Sequence, residues 1–280
     1  MVHKDQVSED EILEDQAASP STATLTTTPI APADLLRTAA DPALSEDFAL
    51  ALLKRSDLHH EVIEQLAKNA NTLKSRKVKI ALAIHSHTPR HVSVPMARQL
   101  YTFELMKLAL SSRVPADVRV AVDDVLISRL KTVTIGERLT LARRASGRVA
   151  AALLRDVAGM DSKTLDAKTI NVKTINARTV AREPRVMQTA LDNPRLTEAL
   201  VINSVLHPAA SQELVHAVAG HAKWSRRKEI RGALLRTEHL SLAHALQFSQ
   251  EIPTPLLHEL LASSRLPPRI KDQITVSNPR

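Results

Sequence analysis

Slid along itself by 152 residues, the sequence meets a second version of itself. Pro42 falls on Pro194, and the match runs without a gap to Val118 on Ile270, with 16 identities in 77 positions. Leu44/Leu196, Glu61/Glu213, Ala67/Ala219, Leu82/Leu234, His87/His239 and Leu105/Leu257 are among them. Both copies close on the same phrase, Ser111-Ser112-Arg113-Val114-Pro115 and Ser263-Ser264-Arg265-Leu266-Pro267. Apolar positions stay apolar elsewhere, as at Val62/Leu214, Ile63/Val215 and Val78/Ile230. A gapless internal register of this length points to duplication. It favours architectures that stack one kind of unit, each burying its apolar face against the next.

The unit reads as helical. Apolar residues recur at helical spacing in short runs of about ten residues, each opened by a proline or by a Ser, Thr or Asp cap. DPALSEDFALALL, HTPRHVSVPMARQL, VPADVRVAVDDVLISRL and NPRLTEALVINSVL are examples. Proline suits a helix's first turn, where its missing N–H has no intrahelical acceptor to lose. Only 5 glycines and five aromatics (Phe48, Tyr101, Phe103, Trp224 and Phe248) are present. That is a poor supply for sheets, which use glycine turns and aromatic pairs. The expected fold is all-α, a right-handed α-solenoid of short stacked helices with an internal duplication.

These short Asp-Pro, Asn-Pro and Thr-Pro openings, repeated from about Asp34 to Thr275, resemble the HEAT-like and leucine-rich-repeat-variant α-solenoids. The resemblance implies a helical-repeat surface that binds proteins or nucleic acids. It carries over no catalytic motif.

Four regions are expected. Residues 1–33 form an acidic, Ser/Thr/Pro-rich tail read as disordered, and the solenoid runs over 34–275. Within it, copy one covers about 34–118, middle helices 119–158, a loop insertion 159–183 and copy two about 184–275. The insertion holds KTLDA-KTINV-KTINA-RTV, with basic residues at Lys163, Lys168, Lys173 and Arg178. A period of five turns a helix by about 500°, so these cations would spiral and line no single face. An exposed loop left by slipped duplication is expected, with regulatory or polyanion-binding use as the alternative.

The net charge is +8, and residues 1–33 carry six acids against Lys4. Subtracting that −5 leaves +13 on the remainder, a distribution that either attracts polyanions or serves solubility. Basic residues fall at matched places, Lys74, Arg76 and Lys79 in one copy and Arg226, Lys228 and Arg231 in the other. Helical spacing sets Lys79 opposite the face of Leu73, Ile80, Ala81 and Ile84, with Arg76 flanking it. Both are expected to be largely exposed. Arg143, Arg144 and Arg148 form a third patch between the two. Trp224, beside the second cluster, reads either as a partner anchor or as a packing residue.

The sequence lacks cysteine, a Gly-rich phosphate loop, a G-x-S-x-G elbow and an H-E-x-x-H helix. His85, His87 and His91 cluster, but across a helix end, a turn and a helix start, so a structural role at the turn is expected over a metal site. His59-His60 reads as a helix start. No cofactor is expected. With neither a signal core at the N-terminus nor a run long enough to span a membrane, a cytoplasmic protein is expected. The resulting expectation is a non-enzymatic scaffold that binds another protein. Duplex nucleic-acid backbone binding through the basic residues is the alternative, and a HEAT-like enzyme comes third.

Overall fold

A computed structural model describes residues 32–158 and 183–278. The acidic tail and the period-five insertion lie outside the described residues. Among those described there are sixteen α-helices, one short 3₁₀ turn and no strand. The first half runs α1 (Pro32–Ala40), α2 (Glu46–Leu53), α3 (His60–Lys68), α4 (Arg76–Ile84), α5 (Arg90–Arg98), α6 (Thr102–Leu110) and α7 (Ala116–Arg129). Then come α8 (Ile135–Arg144) and α9 (Gly147–Ala158). The second half holds α10 (Glu183–Leu191), α11 (Glu198–Val205), α12 (Gln212–Gly220), α13 (Lys228–Leu234), α14 (Leu242–Ser249), α15 (Thr254–Ala262) and α16 (Pro268–Ser277).

The caps explain why the helices start where they do. Ser45, Ser75, Thr134, Ser211 and Ser241 each accept a hydrogen bond from an amide in the first turn, satisfying a donor with no intrahelical partner. Pro89, Pro115, Pro253 and Pro267 occupy the same position before α5, α7, α15 and α16. The helix starts keep the register of the sequence match. Glu46, His60, Arg76, Arg90, Thr102 and Ala116 each lie 152 residues before Glu198, Gln212, Lys228, Leu242, Thr254 and Pro268.

Packing is local along the chain. The principal contacts join helices one, two or three places apart, such as α1 with α3, α2 with α4, α5 with α7 and α14 with α16. This is the pattern of a helical repeat, in which each unit touches only its neighbours. Hydrogen bonds tie successive layers at nearly constant separation. Asn69 Nδ2 donates to the Asp41 carbonyl 28 residues back, Arg129 Nη1 to Leu100 O 29 back, and His85 Nε2 bonds Arg55 O 30 back. Helix ends have carbonyls without intrahelical donors, and the following layer supplies the donors.

One joint connects the halves across the undescribed segment. Buried Asn193 donates to Ala142 O (2.7 Å) and Ala145 O (3.2 Å), and Arg195 Nη1 donates to Arg144 O (3.2 Å). Gly147 opens α9 directly against the Arg195 carbonyl, with room for no side chain: a Cβ there would stand 2.2 Å from that oxygen. Next to it, Arg138 on α8 is buried, bonds the Leu130 carbonyl that ends α7, and pairs with Asp156 of α9 at 3.1 Å. No helix among the described residues is long and apolar enough to cross a membrane.

Candidate partner-binding crevices

Most of the basic residues singled out from the sequence are engaged within the chain. Arg76 reaches from α4 to α6 and donates two 2.7 Å hydrogen bonds to Glu104. Its guanidinium carbon lies 3.1 Å from the centre of the Tyr101 ring. Burial pushes the Glu104 carboxyl up, but the Arg76 hydrogen bonds and the Tyr101 amide outweigh it and hold it below the ordinary value. Lys79 donates to Gln99 Oε1 at 2.8 Å, and at the aligned positions Arg231 pairs with Glu251. The expectation that Arg76 and Lys79 stand largely exposed is therefore corrected. Both are half-buried, because α4 packs between α5 and α2 and its flank faces neighbouring side chains.

The remaining predicted residues divide. Lys74 is exposed and donates to Asn71 Oδ1 at 3.0 Å, while Arg148 donates to Asp124 Oδ1 at 2.8 Å. Arg143, Arg144, Arg226 and Lys228 are exposed and have no side-chain partner among the described residues. Trp224 is 2% exposed and offers no indole to a partner. Its Nε1–H donates to the Leu191 carbonyl at 2.8 Å. Ala39 aligns with Leu191, and its carbonyl accepts from Asn69 Nδ2 at 3.2 Å. One helix-end carbonyl is thus satisfied by different residues in the two halves.

The histidines act as fasteners. His85 and His87 bond the Arg55 and Leu58 carbonyls at 2.8 and 2.9 Å, and His91 lies 3.4 Å from Glu64. His239, aligned with His87, instead pairs with Glu238 at 3.2 Å, so the two do not share one structural role. His59, His60 and Glu61 stand close enough together to hold a metal. All three are exposed at the start of α3, where Glu61 is already accounted for by the positive end of the helix dipole.

The two halves do share a pair of crevices. The first, about 890 Å³, opens between the C-terminal ends of α2 and α4, and Arg113 enters it from the turn after α6. The second, about 260 Å³, opens between the C-terminal ends of α11 and α13, with Arg265 entering from the turn after α15. Their linings coincide at Leu53/Val205, Lys54/Leu206, Arg55/His207, Ser56/Pro208, Ile84/Arg236, His85/Thr237, Ser86/Glu238 and Arg113/Arg265. Arg113/Arg265 is the one Lys or Arg kept identical over the matched span.

Charge in these crevices is incompletely paired. Arg55 is held by Asp57 at 2.7 Å, but Lys54 and Arg113 have no side-chain partner among the described residues. The same holds for Arg236 and Arg265 in the second crevice. There the Arg265 amide donates to the Arg236 carbonyl at 3.1 Å and fastens the turn against α13. A groove of about 440 Å³ continues from the second crevice through Arg236, with Gly232, Ile252, Pro253, Leu256 and Leu260 along its apolar side and Lys228, Glu229, Arg231 and Glu251 along its charged side. Aligned with Gly232, Pro253 and Leu256 in the first half are the larger or charged Ile80, Tyr101 and Glu104. Leu256 remains 48% exposed. A further hollow of about 470 Å³, lined by Lys131 and Arg155, meets the second crevice at His207.

Sequence reasoning did not select Lys54, Arg113, Arg236 or Arg265, although the matched Arg113/Arg265 pair was visible in the alignment. Each of these arginines has no Lys or Arg beside it, so clustering of cations does not mark it in the sequence. The chain matches no protein-family model, no curated protein and no solved structure.

Proposed function

We propose that this is a non-enzymatic helical-repeat scaffold, a right-handed solenoid arisen by duplication, that binds another protein along the edge carrying the two crevices. The observation that carries this reading is the recurrence of one crevice in both halves, with the same arginine at its mouth and apolar side chains in its walls. Structural necessity accounts for repeated helices and caps, whereas the exposed Arg113 and Arg265 side chains make no hydrogen bond or ion pair among the described residues. The aligned helix starts support the duplication.

Nucleic-acid binding through Lys74, Arg76, Lys79, Arg226, Lys228 and Arg231 is the weaker reading. Arg76, Lys79 and Arg231 already hold partners, and freeing them for phosphates would give up those bonds. Pull-down with the full chain, with and without nuclease, tests the assignment. A specific protein should be retained after nuclease and lost in an Arg113→Glu/Arg265→Glu variant. Loss of every partner on nuclease treatment would refute it.

A further inference from the structure

We infer that each crevice takes an acidic segment of an extended polypeptide, so that the chain has two equivalent peptide sites 152 residues apart in sequence. This rests on the scaffold reading above and goes on to name the chemistry of the partner.

Three features select that ligand. The first is charge. Asp47 lines one crevice and Glu238, paired with His239, lines the other, yet Lys54, Arg113, Arg236 and Arg265 form no ion pair with a carboxylate among the described residues. A peptide carboxylate would complete a charge-assisted pair that the fold leaves open, most effectively with a guanidinium's forked donors.

The second is the location of the crevices at the C-terminal ends of α2, α4, α11 and α13. The carbonyls at these ends each accept one hydrogen bond within the chain, Arg55 O from His85 and Arg236 O from the Arg265 amide, and each has a second lone pair. An extended peptide brings both carboxylates for the arginines and backbone N–H groups for carbonyls. The backbone of duplex DNA brings phosphates but no donor along the chain; the negative end of the helix dipole disfavours phosphate and carboxylate alike, so the cationic side chains alone favour an anion there.

The third is the apolar wall. Half-buried Leu50 and Ile84 in the first crevice, Leu206, Pro208 and Ala210 in the second, and exposed Leu256 in the adjoining groove give a peptide's aliphatic side chains a place to bury. The phosphate backbone has no use for such a surface. The two sites should therefore prefer acidic segments interrupted by aliphatic residues.

The test is a titration of the full chain with a fluorescein-labelled peptide of three Glu-Glu-Leu triplets, followed by anisotropy for affinity and calorimetry for stoichiometry. Two peptides should bind per chain at low salt, weakening as salt rises. Arg113→Glu and Arg265→Glu should each remove one site, and together they should weaken binding by at least about tenfold. Both arginines are exposed, and Arg113→Gln with Arg265→Gln serves where charge reversal disturbs folding. A Lys-Lys-Leu peptide should not bind.

Failure of the wild-type chain to bind, or binding untouched by both substitutions, would overturn the inference. So would tighter binding of duplex DNA that depends on the same arginines. If instead a pulled-down protein still depends on Arg113 and Arg265 while acidic peptides do not bind, the scaffold reading survives and the acidic-peptide assignment falls.

Discussion

Among the described glycines, Gly147→Ala should be the most damaging single-atom change, and its size can be worked from the geometry. The added Cβ would lie 2.2 Å from the Arg195 carbonyl oxygen, 3.0 Å from its carbon and 3.1 Å from Leu200 Cδ1. Relief requires about 1 Å of separation between α9 and the turn before α11. That turn cannot move freely. Asn193 Nδ2 holds it to Ala142 O and Ala145 O, and Asn193 Oδ1 accepts from the Arg195 amide at 2.8 Å. Overpacking costs about 1–3 kcal/mol, and loosening one buried hydrogen bond adds about 1 kcal/mol. The gain from replacing glycine by alanine in a helix, at most about 1 kcal/mol, offsets part of this. The net is a loss of about 1–3 kcal/mol, read as a lower urea midpoint at 25 °C. Gly136→Ala is the matched control, because nothing lies within 4 Å of its Cβ position in α8. It should be neutral or stabilising by up to about 1 kcal/mol. A Gly147→Ala chain within about 0.5 kcal/mol of the parent would refute the claim that this joint is closed by direct backbone contact.

Trp224→Phe should cost about 1–3 kcal/mol, since the Leu191 carbonyl loses its indole donor inside the core, and thermal unfolding will report it. Arg138→Leu should destabilise by about 3–5 kcal/mol by leaving Asp156 unpaired, whereas replacing both partners by apolar residues should recover most of the loss in denaturant melts. Asp123→Asn should stabilise the chain at neutral pH. Burial is the chief cause of its raised pKa, and its Oδ1 has no hydrogen-bond partner. The unfolded chain therefore releases this proton first, and the wild type loses stability relative to the variant as pH rises from the ordinary aspartate value, about 4, through the raised folded one. Equal melting temperatures for the two proteins at pH 7.5 would sink that reasoning.

The helix inventory was legible because it is local. Ser45, Ser75 and Thr134 cap helices by bonds within three residues, and the prolines before α5 and α15 declare starts without any tertiary help. The candidate site was legible only in part, because exposure depends on what packs across a helix flank. Arg76 and Lys79 read as solvent-facing from helical spacing alone, yet Glu104 and Gln99 reach them from neighbouring helices 28 and 20 residues on. Trp224 lay between two readings until the Leu191 carbonyl, 33 residues back, settled it as a packing residue.

By itself, then, the sequence determined an all-helical chain of short capped units and the 152-residue register that the helix starts follow, since periodicity, capping and proline placement act over a few residues. Only the tertiary structure decided which cations have internal partners and that Arg113 and Arg265 stand at the mouths of matching crevices. Those outcomes depend on side chains brought together from different layers, and on whether a facing position carries a Glu, as at Glu104, or an exposed Leu, as at Leu256.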